Sequence, residues 1–147
     1  MITPEIFLTE VQDLLDFLGV HGRCASESGN CLYAPPHGSE SLAGHPGCAV
    51  GRRLTPEERV LWGPIYDSYQ DALENKYLES PHLKVPEYFK DWPPYVVQLL
   101  QRVHDKEPRS YQEHIIIEAL IELGMTNPDE RQTAINNLNW PPPKESS

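Results

Sequence analysis

Between His21 and Cys48 the chain gathers all three of its cysteines, Cys24, Cys31 and Cys48, together with His21, His37 and His45. Thiolates and imidazoles are the ligands that zinc takes tetrahedrally, and His45-Pro46-Gly47-Cys48 is an H-x-x-C knuckle that would supply two of the four. Cys24 and Cys31 complete the candidate set of Cys24, Cys31, His45 and Cys48. The spacing is loose, because six residues separate Cys24 from Cys31 and no second short pair follows. The plainer expectation is that Cys31 and Cys48 are packed as small hydrophobes, the ordinary fate of a free cysteine. The odd number of thiols argues against a disulfide framework.

A second chemistry makes Cys48 a nucleophile. A reactive thiolate needs a positive neighbour or a helix N-terminus to lower its pKa, and a base within reach. Cys48-Ala49-Val50-Gly51-Arg52-Arg53 places two arginines nearby, and His104-Asp105 offers an imidazole beside a carboxylate. Consecutive helical residues point in different directions, so Asp105 orients His104 only where the helix ends. The alternative is that His104 serves as a cation favoured by a helix C-terminus, with Asp105 solvated. His21, His82 and His114 are expected at the surface without partners. Asp13 and Asp16, like Glu118 and Glu122, fall on helix faces away from the apolar stripe and are expected to be solvated. No phosphate-loop, dinucleotide, zincin or nucleophile-elbow string occurs, which removes the usual support for nucleotide hydrolysis and dinucleotide redox chemistry.

The elements that must position these groups read as helices. Thr3-Pro4-Glu5 provides a cap, a first-turn proline and a first-turn acid ahead of Ile6, Phe7, Val11, Leu14, Leu15 and Leu18, predicting an amphipathic helix over 4–18. Thr55-Pro56-Glu57-Glu58 is a capping box opening a helix toward Trp62. Further helices are expected over 65–78, over 94–104 from Pro94, over 111–123 behind a capping box at Ser110 and Glu113, and from Pro128 to about Asn139. Cys31-Leu32-Tyr33-Ala34 and Cys48-Ala49-Val50 would pair as a small β-hairpin around the loop between Pro35 and Gly47. Tyr88-Phe89-Lys90-Asp91-Trp92-Pro93-Pro94-Tyr95 reads as an ordered aromatic loop that either packs over the core or stacks on a ligand. The fold class expected is therefore mainly α, a single domain over 1–139 of five to six helices with a small β or irregular element. An extended proline-rich tail over 140–147 follows.

Twelve Lys and Arg stand against 22 Asp and Glu, a formal net charge of −10. With no basic cluster, direct binding to a nucleic-acid backbone is disfavoured. No run approaches the length of a membrane span, and the first residues lack the layout of a signal peptide, so a cytoplasmic protein without a membrane partner is expected. The 15 prolines divide between helix starts and loops, so their abundance is no mark of disorder.

Three segments, Gly29-Asn30-Cys31-Leu32-Tyr33, Gly47-Cys48-Ala49-Val50-Gly51-Arg52-Arg53-Leu54 and Leu99-Leu100-Gln101-Arg102-Val103-His104-Asp105, resemble a group of small uncharacterised bacterial and bacteriophage proteins. That group shows the same order of Cys-x-Tyr, Gly-Cys-Ala-Val-Gly and Leu-Gln-x-Val-His-Asp motifs. The chain departs from it by Cys24 and by a longer stretch from Pro35 to Pro46. The resemblance implies no activity, but it implies a mobile-element or accessory setting and directs attention to Cys31, Tyr33, Cys48 and His104. The expectation is a small acidic binding or inhibitor protein that sequesters a nucleotide-like ligand or blocks a host protein, without a cofactor. Tyr33, Arg52, Arg53, Tyr88 and Trp92 are its candidate contacts. The alternatives are a cysteine-dependent hydrolase or transferase using Cys48, His104 and Asp105, and a structural zinc module.

Overall fold

A computed structural model describes residues 1–22, 47–62, 68–74, 83–105 and 108–142. Within them the chain is mainly helical, with six α-helices and no strand: α1 Pro4–His21, α2 Pro56–Trp62, α3 Tyr69–Glu74, α4 Pro94–Asp105, α5 Arg109–Glu122 and α6 Pro128–Asn136. Two short 3₁₀ turns, Gly51–Arg53 and Glu87–Phe89, precede α2 and α4.

Local chemistry accounts for most of the boundaries. Pro4, Pro56, Pro94 and Pro128 each occupy the first helical residue, where the absent N–H costs nothing. The Thr3 hydroxyl accepts from Ile6 N–H at 3.2 Å, and the Asn127 side chain accepts from Asp129 N–H at 2.8 Å. The box at α2 closes in both directions: Thr55 Oγ1 accepts from Glu58 N–H at 3.2 Å, and Glu58 Oε1 accepts from Thr55 N–H at 2.9 Å. The expected box at Ser110 does not form. α5 starts two residues earlier, at Arg109 behind Pro108, whose carbonyl takes Tyr111 and Gln112 N–H, and Glu113 instead pairs with Arg109 at 2.9 Å. Gly124, at φ +96°, takes the left-handed conformation that ends this helix.

The piece Cys48-Ala49-Val50, expected as a strand, is a turn. Val50 sits at φ −82° and ψ −47°, in the helical region, and Arg52 N–H bonds the Cys48 carbonyl at 2.9 Å. A fully buried turn has the same short apolar signature as a buried strand, which is why composition does not separate them. The other half of that hairpin, Cys31–Ala34, lies outside the described residues.

α4 is the central element, packed against α1, α3 and α5, while α6 packs on α5. Val96, Val97, Leu99, Leu100 and Val103 of α4 are buried with Phe7, Val11, Leu14 and Leu15 of α1 and Ile115, Ile116, Ala119 and Leu120 of α5. Each of these side chains except Ala119 stabilises the fold by about 1.5–3 kcal/mol relative to exposure. The aromatic loop joins this core: Phe89 is fully buried and Trp92 nearly so, with Trp92 edge-on to Phe7 and Phe89 at centroid distances of 6.1 and 5.2 Å. The start of the expected tail is also tied down. Asn139 exchanges two hydrogen bonds with the Gln12 side chain, at 2.8 and 3.0 Å, and the Arg109 guanidinium lies 4.5 Å from the Trp140 ring centroid.

Candidate functional site

Some of the residues singled out by sequence fall in two polar clusters, one reaching α4 and one against α1. Gly47, at φ +112°, makes a left-handed entry that a side chain would strain, and it delivers Cys48 into the turn. Cys48 is fully buried, and its Sγ accepts from Gly51 N–H at 3.4 Å. Val50 N–H donates to Gln101 Oε1 at 3.1 Å, and Gln101 Nε2 donates to Asp105 Oδ1 at 3.2 Å. The same Oδ1 lies 2.7 Å from Nδ1 of the buried His104. The Asp105 carboxylate thus reaches the His104 ring even though the two are consecutive residues of α4. Among the described residues, no hydrogen bond joins Cys48 to His104.

The second cluster is ionic. Arg52 and Arg53, at the end of the 3₁₀ turn, point onto α1. Arg53 Nε and Nη2 reach Glu10 Oε2 and Oε1 at 3.1 and 2.6 Å, a bidentate pair, while Arg52 Nη2 reaches Oε2 at 3.3 Å. The Tyr88 hydroxyl donates to Glu10 Oε1 at 2.9 Å. Arg52 Nη1 bonds Asp13 Oδ2 at 2.8 Å, and Arg53 also contacts that oxygen. Both cations are further covered by rings, Arg52 against Phe17 at 5.2 Å and Arg53 against Tyr88 at 4.5 Å from the centroids.

The Glu10 carboxylate therefore accepts four hydrogen bonds, about the full capacity of its two oxygens. Its side chain is only 3% exposed, and that of Arg52 only 7%. The hydrogen bond from Arg52 holds the Asp13 carboxyl below its ordinary range against the effect of burial, with the charges of both arginines adding to it. Burial works against the Arg53 charge, and the hydrogen bond and charge of Glu10 overcome it, leaving the guanidinium more basic than usual. Burial, followed by the charge of Glu10, pushes the Tyr88 phenol up. With two carboxylates matched to two guanidinium groups, the cluster ties α1 to the 3₁₀ turn and to the aromatic loop.

Of the candidate contacts, Arg52 and Arg53 are thus turned inward, Trp92 is core, and Tyr88 keeps an exposed edge while its hydroxyl is engaged. Tyr33, Cys24, Cys31 and His45 lie outside the described residues, so of the zinc set only Cys48 is placed. Among the described residues, no group of three or more His, Cys, Asp or Glu is arranged to hold a metal ion. Sequence reasoning missed Glu10. Its signal was available: it stands among Phe7, Val11 and Leu14 on the apolar face of α1, where a carboxylate requires a cation. Asp13, expected to be solvated, is half-exposed but paired.

The outer side of α5 and the neighbouring turn of α4 form an open groove of about 850 Å³ lined by Arg102, Tyr111, His114, Ile117, Glu118 and Ile121. The Tyr95 hydroxyl donates to Glu118 Oε1 there. No helix among the described residues is long and apolar enough to cross a membrane.

No protein-family model, curated protein or solved structure matches this chain.

Proposed function

We propose that this chain is an acidic binding protein that acts by occupying a basic surface of a partner protein, an inhibitor-like role in an accessory setting. The observation that carries this reading is the inward turn of Arg52 and Arg53. Two of the few cations are neutralised by Glu10 and Asp13, and the exposed cations among the described residues are Lys84, Lys90, Arg102 and Arg109. Every α-helix except α4 carries at least one exposed carboxylate. A surface with an excess of negative charge accelerates encounter with a complementary one and disfavours phosphate backbones. A basic, nucleic-acid-facing surface of another protein is the partner such a field selects.

The test is capture of proteins from a cell extract on the immobilised chain, followed by a salt gradient. Raising ionic strength from 0.1 to 1 M shortens the screening length from about 10 to about 3 Å. A basic partner released within that range is the expected result. Retention indifferent to salt, or capture of acidic partners, overturns the reading.

One observation favours a second reading, a cysteine-dependent hydrolase or transferase: the Asp105–His104 pair at 2.7 Å is the oriented imidazole such chemistry requires. Stoichiometric alkylation of Cys48 by iodoacetamide in the native protein would support it. Alkylation confined to the denatured protein, the outcome expected from a fully buried thiol, counts against it.

A further inference from the structure

α5 is apolar on two sides. Ile115, Ile116, Ala119 and Leu120 enter the core, while Tyr111 and Ile121 on the opposite side are 61% and 47% exposed, with Ile117 beside them. Between Tyr111 and Ile121 on that outer face stand His114 and Glu118, both exposed. Positions 111, 114, 118 and 121 advance by three, four and three residues, the a/d spacing of a helix seam. In an antiparallel seam an a position faces a d position of the other helix.

The pattern is symmetric about Ile116. Tyr111 and Ile121 are each five residues from it, and His114 and Glu118 are each two residues from it. A two-fold axis crossing the outer face at the level of Ile116, whose own side chain enters the core, therefore sets Tyr111 of one copy against Ile121 of the other, and the same axis sets His114 against Glu118. Both matches are complementary, one apolar and one imidazole to carboxylate. The polar groups are prepared for this. Glu118 is held through Oε1 by the Tyr95 hydroxyl, and the His114 ring has no partner among the described residues.

Two copies of an acidic chain repel over most of their surface, and Arg102 of α4, one of the exposed cations among the described residues, lines this groove beside Glu118 and offsets part of its charge. We infer that the outer face of α5 is the interface of an antiparallel homodimer, with two Tyr111–Ile121 contacts at its ends and two His114–Glu118 pairs at its centre. This goes beyond the proposed binding role and uses a surface separate from the Glu10 cluster. A single helix pair is at the small end of specific interfaces, so the dimer is weak and concentration-dependent.

Sedimentation velocity over about a hundredfold range of concentration, wide enough to cross a weak association constant, tests it. The wild type is expected to move from the 16.8 kDa monomer toward twice that mass. Ile121→Asp, at an exposed position, is expected to remain monomeric with unchanged helical circular dichroism. His114→Glu places carboxylates opposite one another and is expected to weaken the dimer by about tenfold, roughly 1.4 kcal/mol. The double variant His114→Glu/Glu118→His re-creates both pairs in reverse and is expected to recover wild-type association. A wild type monomeric at every concentration overturns the proposal. Dimerisation of Ile121→Asp at wild-type strength, or a double variant no better than His114→Glu, does the same.

Discussion

Glu10 shows how one residue can carry a junction between three segments. Its oxygens take donors from Arg52, Arg53 and Tyr88, which come from the 3₁₀ turn and the aromatic loop. Deleting the carboxylate leaves the nearly buried Arg52 with only the half-exposed Asp13 as a charge partner. Glu10→Ala is therefore expected to destabilise the fold by about 3–5 kcal/mol, the cost of breaking a buried pair from one side. The midpoint of denaturant unfolding should fall while its slope stays constant; a change of less than about 1 kcal/mol, the size of a surface pair, would refute the account. Asp13 contributes less and in a pH-dependent way. Because its native pKa lies below the ordinary 3.8, the native state holds fewer protons than the unfolded chain near that pH. Its contribution is complete above the ordinary value and is lost as pH falls through the lower native one. Asp13→Asn should flatten the acid limb of the stability profile, by about 0.2–1 kcal/mol given its exposure. An acid-unfolding curve that superimposes on the wild type would exclude this.

At the scale of elements, the two capping boxes written in the sequence have opposite fates, and the difference is measurable. Thr55 and Glu58 bond each other's backbone, and Glu58 Oε2 also accepts Glu87 N–H at 3.0 Å, so this cap additionally secures the aromatic loop. Thr55→Ala is expected to cost about 1 kcal/mol. Ser110 lies inside α5 rather than at its cap, so Ser110→Ala is expected to be neutral or to stabilise by a few tenths of a kcal/mol, in line with helix propensity. Equal losses for the two variants in thermal unfolding would contradict the assigned start of α5. The reason for the difference is local: Arg109 captures Glu113, and the Pro108 carbonyl provides the first helical acceptors. A motif that matches by spacing is realised only when no nearer partner takes its groups.

Across the whole molecule, the helices were readable because their causes are close in sequence: apolar residues at a period of 3.6, prolines at first turns, and capping side chains three positions from their donors. The same holds for the acidic balance, which is a count. The polar clusters were not readable, because Glu10 and Arg53 are 43 positions apart and their meeting depends on how α1 crosses the turn before α2. Nor did spacing distinguish a strand from a turn at Cys48-Ala49-Val50, since burial on all sides erases periodicity. The sequence by itself determined a mainly helical chain with a strong excess of carboxylates. Only the tertiary structure decided that Arg52 and Arg53 face inward, that Trp92 is core, and that His114 and Glu118 stand on one open face with Tyr111 and Ile121. Helix formation is settled by neighbours along the chain, whereas the pairing of charges and the exposure of a face are settled by which helices touch.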